Sequence, residues 1–157
     1  MTQAEGAAAW TPRNPAYEAR VRDSFARQGF MAFVGATIDT LAPGRCVLTL
    51  PYRAELTQQH GYFHGGLIGA LADNAAGYAA FALADADASI LTVEYKVNLL
   101  EPGRGARLWA DARVLRAGRR IATCQVDVSA GDAAARERCA AALVTLMLLT
   151  GRSDHPA

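Results

Sequence analysis

His64-Gly65-Gly66-Leu67-Ile68-Gly69-Ala70-Leu71-Ala72-Asp73 joins a glycine-rich helix entry to one carboxylate set among small apolar residues. Two glycines at a helix start let another molecule approach backbone N–H groups that lack intrahelical partners, and the helix dipole adds partial positive charge there. Such an end suits a developing oxyanion. Asp73 follows Gly65 by eight residues, which is roughly 12 Å along one helix. One helix therefore cannot deliver both groups to one carbonyl. If they act together, the amide comes from one subunit and the carboxylate from another, with two such helices antiparallel across a two-fold axis. Each feature alone has an ordinary explanation: a Gly-Gly pair permits tight packing, and a helical aspartate is commonly solvated or capping. Ala70, Leu71, Ala72, Ala75, Ala76 and Ala79 surround Asp73 with small apolar groups, and solvation does not explain a carboxylate among these.

The helix that carries this stretch runs from about Gly65 to Ala84, almost uncharged and apolar on most sides, so it is expected to be buried. Upstream, Tyr17, Val21 and Phe25 recur at helical spacing between about Pro15 and Gln28, where Gly29 ends the pattern. Phe30 to Asp39 and Cys46 to Tyr52 read as strands joined through Ala42-Pro43-Gly44. Downstream come four strand-like segments, about Ile90 to Leu100, Ala106 to Arg116, Arg119 to Ser129 and Arg138 to Leu149, the first three linked by turns at Pro102-Gly103 and Ala117-Gly118. In the first of them Thr92, Glu94, Lys96 and Asn98 alternate with Val93, Tyr95, Val97 and Leu99, the period of a half-buried strand. The fold class expected is α+β, with a mostly antiparallel curved sheet of about six strands wrapped around one long helix and a short helix before it. Such a sheet leaves edges that dimerisation can pair.

At 157 residues with 52% apolar content, the chain suits one domain with a substantial core. The expected organisation is a flexible tail over 1–14, a single domain over 15–150 and a second flexible tail over 151–157. A net charge of +1 without a basic tail argues against nucleic acid as the main partner, although all but one of the basic residues are arginine. Cys46, Cys124 and Cys139 are odd in number and widely spaced, which suggests neither a disulfide framework nor a zinc site and fits a reducing cytoplasm. No signal-peptide pattern opens the chain, and the apolar run Ala140 to Leu149 is too short to span a bilayer, so no membrane is expected as partner. H-E-x-x-H, G-x-S-x-G, P-loop and G-x-G-x-x-G patterns are all missing.

Taken with this order of elements, Gln58-x-x-Gly61-x-x-His64-Gly65-Gly66, then Ala72-Asp73, then Thr92-Val93-Glu94-Tyr95-Lys96-Val97-Asn98 with Pro102, resembles the hotdog-fold acyl-CoA thioesterases, and within them the phenylacetate-pathway thioesterase family. The likeness covers about residues 30 to 150. It implies a homodimer or dimer of dimers with active sites between subunits. It implies that the Gly65 N–H polarises the thioester carbonyl, with Gly66 helping to form the helix entry, while Asp73 of the facing subunit attacks as nucleophile or activates water as general base. The family motif usually has Asn where this chain has Gln58, which keeps the amide and adds a methylene. Thr92 falls where the family often carries a hydroxyl near the attacking water. Some relatives place that hydroxyl one turn after the carboxylate, where this chain has Gly77. His64 either takes part in acid-base chemistry or holds the loop before the helix.

The resemblance makes an acyl-CoA the expected substrate, with no cofactor and no metal beyond the coenzyme A of the substrate itself. Arg116, Arg119 and Arg120 around the Ala117-Gly118 turn form the best basic patch for its phosphates, or else a solvated hairpin tip. Phe63, Leu67, Tyr78 and Phe81 could line a pocket for an aryl or short to medium acyl chain, or belong to the core. Two other activities stand beside hydrolysis: a hotdog hydratase or dehydratase, whose usual helix pattern is missing, and a non-catalytic acyl-CoA-binding protein, which gains nothing from a carboxylate beside a thioester.

Overall fold

The computed structural model describes residues 10–155. Helix α1 (Tyr17–Ala26) leads into a short helix α2 (Gly29–Val34), followed by strands β1 (Thr37–Ala42) and β2 (Arg45–Pro51). A 3-10 turn at Ala54–Leu56 precedes the long helix α3 (Gly65–Phe81), and strands β3 (Ser89–Leu99), β4 (Arg107–Ala117), β5 (Ile121–Asp132) and β6 (Ala135–Leu149) complete the chain. The six strands form one antiparallel sheet in the order β1-β2-β4-β5-β6-β3. The expected helix within a six-stranded wrap is therefore present.

Helix α3 forms the centre of the core because it offers apolar atoms on nearly every side. Leu67, Ile68, Leu71, Ala72, Ala75, Ala76 and Ala79 are all buried. They pack on inward-facing Leu48 and Leu50 of β2, Leu108, Ala110 and Ala112 of β4, and Val126 and Val128 of β5. Alanines along the helix let the sheet approach closely, while Leu71, fully buried, fills the interior. Truncating a leucine so placed to alanine typically costs about 2–5 kcal/mol.

The expected strand from Phe30 to Asp39 is corrected: its first half is helix α2 and the strand begins at Thr37. Aromatic and β-branched residues suggested a strand, yet within Gly29–Val34 the buried residues are Met31 and Val34, at helical rather than alternate spacing. Gly35 ends the helix in the left-handed region, at φ +75°, and the Ala36 N–H returns to the Met31 carbonyl at 2.9 Å. The long helix also stops three residues earlier than expected, at Phe81, and its C-terminal end meets Arg20, whose guanidinium donates to the Asp85 carbonyl and stacks over the Phe81 ring.

Of the expected tails, residues 1–9 and 156–157 lie outside the described residues. Trp10 packs against the core, and Asp154 pairs with Arg27, which caps the end of α1, at 2.8 Å. All three cysteines are free and buried. Among the described residues no helix is long and apolar enough to cross a membrane.

The sheet has two edges, β1 and β3. Strand β3 is hydrogen-bonded only to β6 and leaves Leu91, Val93, Tyr95 and Leu99 between 46% and 60% exposed. A long edge with that much apolar surface is the kind of strand that normally needs a cover.

Candidate active site

His64 is the N-cap of α3. Its backbone is extended, and its imidazole Nδ1 accepts from the Gly66 N–H at 3.0 Å. With Nδ1 accepting, Nε2 is the ring atom left for other contacts. The His64 carbonyl also receives the Leu67 and Ile68 N–H groups, and its own N–H donates to the Leu56 carbonyl. These bonds hold the loop before the helix. One donor of the first turn is left over. Among the described residues the Gly65 N–H makes no hydrogen bond, so the amide expected to meet a carbonyl is available for one.

Gln58 lies beside it. Its side-chain oxygen accepts from the His60 N–H, and its backbone bonds with Tyr62 and Gly61 close the loop that precedes His64. Among the described residues its side-chain nitrogen makes no hydrogen bond. Gln58 and Gly65 share a cleft of about 340 Å³ with Tyr62, Phe63, Ile68 and Leu99.

Two turns further along α3, Asp73 opens on a different and larger cleft of about 560 Å³. Burial pushes its carboxyl above the ordinary carboxylate range, opposed by one hydrogen bond: the Thr92 hydroxyl donates to Asp73 Oδ1 at 2.7 Å. A raised carboxyl in a cleft is a frequent mark of a functional group. Simple alternation would put Thr92 on the same face as Glu94 and Lys96. A bulge between Thr92 and Glu94 changes this, so that Thr92 opposite Leu146 and Tyr95 opposite Val144 both turn toward the helix.

Strand and helix consequently run side by side in opposite directions. Thr92 meets Asp73, Tyr95 lies against Gly69, and Leu99 lies against Gly65. A Cβ at Gly69 would come within 3.4 Å of the Tyr95 ring, and one at Gly65 within 2.9 Å of the Leu99 side chain, so both glycines permit this approach.

Behind Asp73 a chain of hydrogen bonds links α3 to α1. Asn74 donates to Gln28 at 2.7 Å, Gln28 donates to the Tyr78 hydroxyl at 2.8 Å, and Ser24 lies 3.3 Å from that hydroxyl. Nothing in the sequence pattern singled out Ser24, Gln28 or Asn74, because they meet only when α1 packs on α3.

The expected pocket residues separate. Phe63 lines the amide cleft, and Tyr78 and Phe81 line the carboxylate cleft. Leu67 is buried in the core and lines neither cleft. Arg116, Arg119 and Arg120 are exposed at the β4–β5 tip, make no ion pair among the described residues, and line neither cleft. The tip does stand at the Asp73 end of the sheet, since Ile121 and Leu91 both lie opposite Met147, about 10 Å apart across two strand spacings. Among the described residues no group of three or more His, Cys, Asp or Glu is placed to hold a metal ion.

Residues 60–136 match the model of the thioesterase superfamily. A crystal structure of a thioesterase family protein from Silicibacter pomeroyi is 46% identical and superposes with a TM-score of 0.84 over 86% of this chain and 99% of that one. The chain belongs to the thioesterase superfamily. Its six-stranded sheet around one helix is the hotdog fold. A conserved protein from Pseudomonas aeruginosa is 28% identical, with a TM-score of 0.74 over 82% of this thioesterase-superfamily chain and 98% of that one. A protein of Saccharolobus solfataricus that bears a provisional esterase name is 32% identical over 100 residues, 64% of this chain and 71% of its own length. The superfamily and these names make hydrolysis of an ester or thioester the coarse activity.

Proposed function

We propose that the protein hydrolyses acyl-CoA thioesters, carrying an aryl or a short to medium acyl chain, at sites shared between two copies of the chain. The observation that carries this reading is the separation of two complementary half-sites on one helix. An unbonded Gly65 N–H lies in one cleft and a desolvated Asp73 carboxylate in another, with Gly69 and Tyr95 midway between them.

The open β3 edge supplies the pairing. Two copies of β3 set antiparallel about Tyr95 place the Leu99 end of one copy beside the Ile90 and Thr92 end of the other. The Gly65 end of one α3 then lies against the Asp73 end of the next, and the exposed apolar side chains of β3 are covered. A pair of such dimers is an equally closed assembly.

In the shared site the Gly65 N–H receives the thioester oxygen, where negative charge grows as the carbonyl carbon is attacked. Asp73 then acts in one of two ways. As general base it takes a proton from water, hydroxide adds to the carbonyl carbon, the C–S bond breaks, and the proton returns to the departing thiolate. As nucleophile it adds to the carbon itself and expels the thiolate, and water hydrolyses the resulting anhydride. Desolvation makes the carboxylate more basic in both cases, and Thr92 orients one of its oxygens. Gln58 borders the carbonyl with a free amide donor. The Arg116, Arg119 and Arg120 tip offers its charge to the phosphates of coenzyme A. Neither route uses a metal or an additional cofactor.

The test is thiol release from aryl-, short- and medium-chain acyl-CoA substrates by wild-type protein and Asp73→Asn. Hydrolysis abolished by the substitution supports the proposal. Binding without turnover, enoyl-CoA hydration alone, or activity intact in Asp73→Asn refutes it.

A further inference from the structure

Asp73, Gly77 and Phe81 follow one another at four-residue spacing, share one face of α3, and all line the 560 Å³ cleft. Gly77 is the unexpected member. Glycine inside a helix is disfavoured relative to alanine, because it has more backbone freedom to lose and no side chain to pack. The other residues between Asn74 and Phe81 are alanines and a tyrosine.

Neither usual reason for glycine applies here. Its φ is not positive, and a Cβ built on it meets no atom within 4 Å. Gly65 and Gly69 differ in this respect, since Leu99 and Tyr95 press on them. The missing side chain at Gly77 leaves space in the cleft, between Ile90 and Leu146 on the sheet side and Asn74 and Tyr78 on the α1 side.

We propose that Gly77 is a specificity-determining position, which leaves room for acyl groups that are wide close to the carbonyl, with a ring or a branch in the first few carbons. This rests on the reading of Asp73 as the group that acts on the thioester. One helical turn separates the two residues, about 6 Å along the axis, so a side chain at position 77 meets the acyl group beside the reacting carbon. Ile90, Leu146 and Phe81 supply apolar surface for such a group. A two-carbon acyl group makes little use of that space.

The experiment compares wild type, Gly77→Ala and Gly77→Leu with benzoyl-, isobutyryl- and acetyl-CoA. The ratio of kcat/KM for the ring-bearing or branched substrate to that for acetyl-CoA is expected to fall severalfold in Gly77→Ala and at least tenfold in Gly77→Leu, chiefly through KM. Gly77→Ala is expected to raise Tm, since the helix gains a better former. Unchanged ratios in both variants overturn the proposal.

Binding of the thioethers S-benzyl-CoA and S-ethyl-CoA gives a readout without turnover. Selective weakening of the benzyl analogue by Gly77→Leu supports the role of Gly77 even where wild type hydrolyses nothing, an outcome that refutes only the hydrolase reading. The same relative affinity for the two analogues in wild type and both variants overturns it.

Discussion

The Thr92 hydroxyl donates to Asp73 Oδ1 at 2.7 Å, from an edge strand whose alternation alone would turn Thr92 away. The bond stabilises the ionised carboxylate against the burial that raises its pKa. Thr92→Val removes that stabilisation at nearly constant shape. The acid limb of the kcat/KM profile for acyl-CoA hydrolysis is expected to move upward by about one pH unit, the scale of one charge-assisted hydrogen bond in a partly exposed site. Thr92→Ser should restore it. A profile unmoved by Thr92→Val would leave Thr92 as an ordinary strand residue.

Asp73 also bears on stability. Its folded-state pKa is raised above that of the unfolded chain, so its protonated form favours folding. That contribution is fully present below the unfolded pKa and is lost as pH rises through the folded pKa. Above the folded-state pKa the ionised carboxylate is therefore a destabilising group. Asp73→Asn is expected to raise Tm at pH 7, with the advantage shrinking toward pH 4, while hydrolysis drops by about a thousandfold or more. Thermal unfolding of both proteins across that range measures it.

For His64 the cap to Gly66 predicts a structural penalty. His64→Ala is expected to lose about 1 kcal/mol of stability, the usual cost of an N-cap. His64→Asn should recover most of the stability together with the activity, since its side-chain oxygen can cap the same helix. Recovery of stability without activity would instead assign the imidazole a chemical role.

Charge reversal at the hairpin tip, as Arg119→Glu with Arg120→Glu, is expected to raise KM for acyl-CoA severalfold and leave kcat within about twofold, with the difference shrinking at high salt. A KM insensitive to the double substitution would make the tip a solvated surface. Steady-state kinetics at two ionic strengths distinguish these outcomes.

Much of this arrangement is legible in the chain because it follows from local pattern. The largely apolar surface of α3, the turns at Gly44 and Gly118 and the extended run of β3 all follow from spacing and residue type. The eight-residue step from Gly65 to Asp73 sets the two residues far apart along α3, and they line different clefts. What was not legible depends on contacts between distant segments. Gly29–Val34 has strand-like residues and becomes helix because burial selects Met31 and Val34 together. Thr92 reaches Asp73 through a bulge that alternation cannot announce. The Ser24, Gln28, Tyr78 and Asn74 chain joins residues about fifty positions apart. Leu67 shares its helix with the candidate site and still faces the core.

The central claim is that each site takes its amide from one copy and its carboxylate from another, and subunit complementation tests it most directly. Gly65→Pro deletes the N–H at the first helical position, where proline is tolerated, and His64 already has the extended backbone that precedes proline. Gly65→Ala keeps the N–H and imposes a comparable steric load on Leu99. Asp73→Asn and Gly65→Pro are each expected to be inactive alone. Co-expressed with different affinity tags and purified as the mixed dimer, they should regain about half the wild-type activity, because one of the two sites then has both native groups. A mixed dimer as inactive as its parents would contradict the account.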